Sequence, residues 1–273
     1  MVDRFVNRLI NSIFDTEDFK IGRVNPYLLY YFYPRKKKEK VKDSTRRNGN
    51  EYKEVVDKDK SVSDFKEHFD AFEILNEVNK RRNNLIQQYT NLSYKVVEVK
   101  ARLINGAVPG IGIESPYESG LRLHYIYGIP FIPASSIKGA YSQYLKDFKG
   151  LKESDPDYTL RFGSQEKEGN LIFLDAYPEL SKDKQIFDIS IINTHYQKYY
   201  NKEAFPADYY SPIPNKFLII KGDTEFRFHI IIKPVNELKV DDVRKEFADA
   251  LLKQGVGAKT KVGFGHFKVA EGI

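Results

Sequence analysis

The chain has 273 residues, a net charge of +6 and a pI near 9.0, with 41% hydrophobic and 30% charged residues and a mean hydropathy of −0.53. That length allows one large or two small domains with an ample core, and the lack of cysteine excludes disulfides, thiolate metal sites and a cysteine nucleophile. No apolar run approaches the roughly 18–20 residues of a membrane span and the amino terminus lacks a signal-peptide core, so a soluble, cytoplasmic protein with an anionic partner is expected.

Residues 1–14 place Phe5, Val6, Leu9, Ile10 and Ile13 at helical spacing and predict an amphipathic helix. Asn25-Pro26 is expected to end any helix, and residues 27–33 form a dense aromatic and aliphatic run, either a strand or a docking segment, closed by Pro34. Most of the charge excess lies in residues 35–60. There Arg35, Lys36, Lys37, Lys38, Lys40, Lys42, Arg46, Arg47, Lys53, Lys58 and Lys60 outnumber Glu39, Asp43, Glu51, Glu54, Asp57 and Asp59. With little to bury, residues 35–63 read as a basic mobile loop, or as an arm for nucleic acid or a neighbouring subunit. Phe65, Phe69, Phe72, Leu75, Val78, Leu85 and Ile86 then predict one helix over residues 64–91, capped by Ser63 or Asp64. Residues 1–92 are thus expected to be a helical N-terminal extension.

From residue 93 onward the pattern changes. Residues 94–104 alternate apolar and polar positions as a half-buried strand does, and a long Gly- and Pro-rich loop over 105–134 leads to a helix through about residue 148. Ser135 or Ser136 is a natural N-cap for that helix, and Lys138 adds charge to a first turn whose N–H groups attract anions. Strands are expected at 170–177, 186–194, 217–221 and 225–233, with Gly222-Asp223 as a hairpin turn between the last two. A helix over 241–254 stops at Gly255, and residues 264–269 close as a strand. Strand, helix, strands, helix, strand is the order of a ferredoxin-like βαββαβ unit with extra strands.

Two loops carry candidate chemistry. Residues 255–267 read Gly-Val-Gly-Ala-Lys-Thr-Lys-Val-Gly-Phe-Gly-His-Phe, a run in which glycines let a partner approach the backbone and present N–H groups to an anion, with Lys259 and Lys261 adding charge. Lys259-Thr260 superficially suggests a nucleotide-binding P-loop, but Ala258 stands where that motif has glycine and no helix follows. A bulged Gly-rich turn feeding an edge strand is the plainer alternative. Residues 193–214 interleave tyrosines, lysines and His195, suited to stacking on unpaired bases or to a protein interface. His68, His124, His195, His229 and His266 are scattered without metal-ligand spacing, so no metal, cofactor or catalytic group is expected.

Four motifs in order carry a resemblance: Pro133-Ala134-Ser135-Ser136-Ile137-Lys138-Gly139, the block from Phe162-Gly163-Ser164 to Gly169-Asn170-Leu171-Ile172-Phe173-Leu174-Asp175-Ala176, Asn193-Thr194-His195-Tyr196, and the terminal Gly-rich loop. Together they resemble the RAMP proteins of CRISPR systems, and in order and spacing most of all the sixth-subunit family of the type III-B Cmr RNA-guided effector. The resemblance spans about residues 94–269. It implies an α+β, ferredoxin-like (RRM-like) RAMP domain over 93–273, packed in a filament at the end holding the 3′ portion of the guide RNA in a complex that defends against invading RNA. It implies guide RNA, target RNA and other Cmr subunits as partners: the backbone RAMP, the small helical subunit and a second capping RAMP. Target cleavage in such complexes is attributed to the backbone subunit, so a non-catalytic RNA-binding role is implied for Ser135, Ser136, Lys138, Gly257, Lys259, Thr260 and Lys261, with His195 and Tyr196 as further candidates in the insertion. A guide-processing endoribonuclease of the same fold, using His124 or His195, and a purely architectural cap are the rival expectations.

Overall fold

Asn25 and Pro26, expected to end a helix, begin one. In the computed structural model of the protein the Asn25 Oδ1 accepts the Tyr27 N–H at 2.9 Å, and Pro26 opens α1 (Pro26–Phe32). Proline suits that first position because its missing N–H has no intrahelical partner there. Residues 27–32 are therefore helical instead of extended, and Tyr30 is buried against Phe65 and Tyr117 with ring centroids 5.1 and 4.8 Å away. The structure describes residues 25–32, 34, 36–41, 51–117, 119–179, 185–194, 197–203, 205, 207, 212–234 and 237–269. The helix expected over residues 1–14 lies outside them. Among the described residues no helix is long and apolar enough to cross a membrane.

The described residues of the basic segment form strands and the start of a helix, where a mobile loop was expected. β1 (Lys36–Val41) and β2 (Glu51–Val56) pair as an antiparallel ribbon whose register sets Glu39 opposite Lys53, an arrangement of opposite charges that supports the pairing. The following helix starts earlier than expected, because Asp57 caps α2 (Lys58–His68) by accepting the Lys60 N–H. It also ends earlier. The chain breaks at Phe69–Ala71 before α3 (Phe72–Asn91), with Asp70 accepting the Phe72 N–H at 3.1 Å. The single periodic run is thus two helices, and packing explains the break: Phe65 and Phe69 pack on Phe187, while Ala71, Leu75 and Val78 pack with Ile129 and Tyr177.

Two sheets receive those helices. The first holds β3 (Lys95–Leu103), β5 (Leu171–Phe173), β6 (Tyr177–Glu179), β9 (Glu225–Ile232) and β10 (Phe267–Val269), in the order β10-β3-β9-β5, with β6 also paired to β9 and every pair antiparallel. The second holds β4 (Gly106–Ala107), β8 (Ile213–Lys221) and β7 (Phe187–Thr194) in the order β4-β8-β7. Gly222-Asp223 is accordingly not a hairpin turn. It carries the chain from one sheet into the other, since β8 and β9 have different partners, and the Asp223 N–H donates to Leu103 O at 2.8 Å to close the seam where β3 also passes into β4. β8 begins four residues before the expected strand and keeps Pro214 in register with Asn193.

α4 (Ala134–Lys149) and α7 (Val240–Lys253) cover one face of the first sheet, with α5 (Pro156–Phe162) beside them. Tyr141, Phe226, Phe228, Phe247 and Phe267 are buried there, with Phe228 edge-on to Phe267 at 5.2 Å and to Phe247 at 5.6 Å. Each such ring contributes roughly 1.5–3 kcal/mol of burial, so the face is firmly held. Arg161 of α5 is the polar clamp: its Nη1 is 2.7 Å from Glu246 and 3.0 Å from the Tyr141 hydroxyl, and its Nε is 3.1 Å from Asp157.

α3 covers much of the opposite face. Buried Arg82 donates to Arg227 O at 3.2 Å and Asn79 Oδ1 at 2.9 Å, Arg227 pairs with Glu179 at 2.5 Å, and His229 Nε2 lies 3.0 Å from Glu98. The side chain of His229 is 1% exposed, and desolvation together with the nearby Arg82 charge holds its imidazole down to about 4, against the opposing effect of Glu98. This sheet face is therefore occupied by the protein itself where α3 lies, which directs attention to the loops at the sheet ends.

Candidate nucleic-acid interface

The expected strand over 170–177 is interrupted, and the interruption builds the site. Between β5 and β6, Ala176 leaves the β9 ladder to exchange hydrogen bonds with Ile132, each 2.9 Å long. Asp175 is thereby aimed at the start of α4, where its Oδ1 accepts the Ala134 N–H at 2.7 Å. The cap residue is Pro133, and no side chain of the helix's own start caps it, so neither Ser135 nor Ser136 is the N-cap. A carboxylate 41 residues away does that work instead. Both serines are exposed in the first turn. Lys138 is also exposed, and its Nζ donates to Phe162 O at 3.1 Å, which ties α4 to the end of α5.

The Gly-rich loop is fastened through its backbone, partly to itself and partly to α7 and the segment after β3. Gly255 continues past α7 with φ 69° and donates to Ala250 O, Val256 N–H donates to Gly265 O at 2.8 Å, Gly265 N–H to Gly106 O at 2.7 Å, and Ala258 N–H to Val108 O at 3.2 Å. Gly265 admits no other residue, because φ is 72° and a Cβ there would collide with Val256 O. A short 3-10 turn at Thr260–Val262 closes the loop, with Val262 and Phe264 both donating to Lys259 O. His266 locks it down: Nδ1 is 2.9 Å from Leu252 O and Nε2 2.9 Å from Thr260 O. Among the described residues, the N–H groups of Gly257, Lys259, Thr260 and Lys261 are left without an internal acceptor. These four are the loop residues singled out from the sequence as anion contacts. Lys259 itself is in the left-handed region at φ 60°, ψ 32°.

The two expected phosphate-suited segments meet. A groove of about 520 Å³ is lined by Ser136, Gly139, Ala140 and Gln143 of α4, by Gln254, Gly255, Gly257, Ala258 and Thr260 of the loop, and by Pro109, Gly110, Ile111, Gly112, Arg122, Ile132 and Pro133. Ser136, Gly257 and Thr260 thus share one cavity. Ser135, Lys138, Lys259 and Lys261 lie outside its lining. Sequence reasoning missed Arg122, Gly112, Gly139 and Gln143, although a lone glycine inside the α4 pattern was a usable signal.

The third predicted region is only partly described. His195 and Tyr196 lie outside the described residues. After them, α6 (Gln197–Tyr200) presents Tyr199 and Tyr200 at 49% and 72% exposure, and Phe205 is 89% exposed. His124, the other histidine considered for catalysis, is built into a turn. Its Nδ1 accepts the N–H groups of Ile126 at 3.2 Å and Tyr127 at 3.4 Å, its ring stacks on Tyr127 at 4.4 Å, and burial lowers its basicity with Asp175 opposing.

Comparison with known proteins shows the family. Residues 96–268 match the RAMP superfamily. The chain is 29% identical over 257 residues to the CRISPR system CMR subunit Cmr6 of Saccharolobus solfataricus, an alignment covering 90% of this chain and 81% of that protein. It is 30% identical over 243 residues to the CRISPR system Cmr subunit Cmr6 of Pyrococcus furiosus, covering 66% of this chain and 70% of that one. Among solved structures, a chain in the cryo-EM structure of the Type III-B Cmr-beta bound to cognate target RNA superposes with a TM-score of 0.65 and 26% identity over 78% of this chain and 71% of that chain.

Proposed function

The chain belongs to the RAMP superfamily, and from that premise we propose that it is a non-catalytic, RNA-holding subunit of a cytoplasmic type III-B Cmr effector complex. Its core is read as ferredoxin-like, and the order β10-β3-β9-β5, with α4 and α7 on one face, supports that reading because it places the last strand beside the first and the second at the far edge. The observation that carries the function is the convergence of the α4 start and the 254–260 loop on one groove, next to a turn with four backbone N–H groups that have no acceptor among the described residues. Donors of this kind grip phosphates without reading bases. Sequence specificity then falls to pairing between guide and target, as in other RNA-guided effectors. Lys259 and Lys261 supply charge at the loop, and the exposed rings of Tyr199, Tyr200 and Phe205 offer stacking faces toward the guide–target duplex.

In the complex the subunit caps the filament near the 3′ portion of the guide, contacting the backbone RAMP, the small helical subunit and the second capping RAMP, and so contributes to defence against invading RNA. The relatives named Cmr6 support membership in such a complex. The test is to incubate the purified protein with labelled guide-like single-stranded RNA, alone and with its filament neighbours, reading binding and cleavage from the same samples. Binding that the neighbours strengthen, with the RNA left intact, is expected. Cleavage at one position, lost in His124→Ala or His195→Ala, would instead make the protein a processing nuclease.

A further inference from the structure

Among the described residues, two glycines have no reason within the fold. Among the described residues, every other glycine either has a positive φ or would drive a Cβ into neighbouring backbone; only Gly112 and Gly139 have neither constraint, each with nothing within 4 Å of the Cβ position. Both line the same groove. Gly139 is the more telling, since it lies inside α4, where glycine is less stable than alanine and where no close approach by the protein calls for it. Ser136 and Gln143, three residues before it and four after, share its helical face and line the groove beside it.

One cation faces this cleared space. Among the described residues Arg122 is the single charged side chain lining the groove, and no carboxylate lines it. The Arg122 backbone is fixed by donation to Pro109 O at 2.7 Å, yet its guanidinium makes no hydrogen bond or ion pair among the described residues. A half-buried arginine fixed at its backbone and, among the described residues, unneutralised at its tip is a receptor for an oxyanion, and its planar fork suits a phosphate.

We propose that a phosphodiester of a single RNA strand enters this groove, with Arg122 on the phosphate oxygens, Gly112 and Gly139 providing clearance for the sugar, and Ser136 and Gln143 lining the space beside its hydroxyls. This deepens the RNA-holding reading and rests on it. It also moves the principal phosphate contact from the half-buried Lys259 and the exposed Lys261 to Arg122, and extends the binding surface along α4 from its start to Gln143.

The experiment measures affinity for a labelled guide-like single-stranded RNA across a salt titration, using the full chain together with its filament neighbours, and records melting temperatures of the same proteins. Gly139→Ala should raise the melting temperature by roughly 2 °C while weakening RNA binding, because the helix gains and the groove loses. Gly139→Leu should keep the fold, since space surrounds that position, and weaken binding further. Arg122→Ala should cost roughly tenfold in affinity and reduce the salt slope by about one, with Arg122→Lys restoring the slope but not the full affinity. Unchanged RNA affinity in a folded Gly139→Leu protein overturns the proposal. So does loss of subunit assembly with RNA affinity intact, which would make the groove a seat for a protein segment. If Lys259→Ala with Lys261→Ala weakens binding while the groove variants do not, the RNA reading stands and the groove assignment fails. If the unaltered protein and its assembly hold no RNA, both fail.

Discussion

Asp175 and Ala134, 41 residues apart, are joined by a 2.7 Å hydrogen bond in which the Ala134 N–H donates to the Asp175 carboxylate, so the first turn of α4 is capped from the β5–β6 interruption. Asp175→Ala should destabilise the protein by about 1 kcal/mol and speed amide exchange at the start of α4. Asp175→Asn retains an acceptor oxygen and should recover most of that loss. Denaturant unfolding with hydrogen exchange resolved along α4 checks both, and equal effects of the two substitutions would mean that the cap acts through its charge alone.

Lys259 holds a left-handed conformation that glycine adopts without strain. Lys259→Gly should therefore leave stability unchanged or raise it by about 0.5 kcal/mol, after subtracting the extra freedom glycine gives the unfolded chain. RNA affinity should fall about threefold through loss of one charge. A melt and a binding isotherm on the same sample check the pair, and destabilisation would show that the lysine side chain serves the fold.

Lys259→Ala combined with Lys261→Ala should weaken binding to a similar degree for RNAs of different sequence and flatten the dependence of affinity on salt by about two ions. Filter binding over a salt series reads this directly. An unaltered slope would remove both lysines from the interface.

His229 gives a pH signature to the fold. Its imidazole is held down to about 4 by burial and by Arg82, whereas an unfolded chain protonates near 6.5. Between those values the unfolded state binds the extra proton, so stability falls as the pH falls through that window and is unaffected by this group above it. His229→Gln should show a smaller loss of urea midpoint between pH 7 and pH 5 than the parent does. An identical loss in both proteins would assign the acid sensitivity to other groups.

The long-range order of the fold was readable where one face of an element is buried. β3, β9, α4 and α7 each carry a periodicity that survives into the structure within a few residues. What escaped were features set by distant partners. Nothing local says that Phe69–Ala71 must break a helix, because the break answers two different surfaces, one at Phe187 and one at Tyr177. Gly222-Asp223 has the chemistry of a hairpin turn, and only the pairing of β8 with β4 and β7 shows that it joins sheets. Asp155-Pro156 and Asn25-Pro26 are different: a helix start was written in both, as a capping position followed by proline, and the capping bond of Asn25 confirms how such a pair is used.

The same was true of the site. Glycines and lysines at 255–265 suggested an anion-suited turn, and among the described residues the N–H groups of Gly257, Lys259, Thr260 and Lys261 have no internal acceptor. Arg122 could not be found that way, since a single arginine in a long loop has no pattern, and its meaning comes from the groove that Gly112 and Gly139 leave open.

The seam between the sheets also sets when the groove can exist. β3 is held between β9 and β10, and Asn105 reaches Gly263, 158 residues further along the chain. Closing such a span carries an entropic cost that is recovered only when the last strand docks, which delays this part of the fold. On the ribosome, the helix start at 134 emerges long before the loop that completes its groove. The cleft therefore does not exist in a nascent chain until residues 255–265 have emerged and docked.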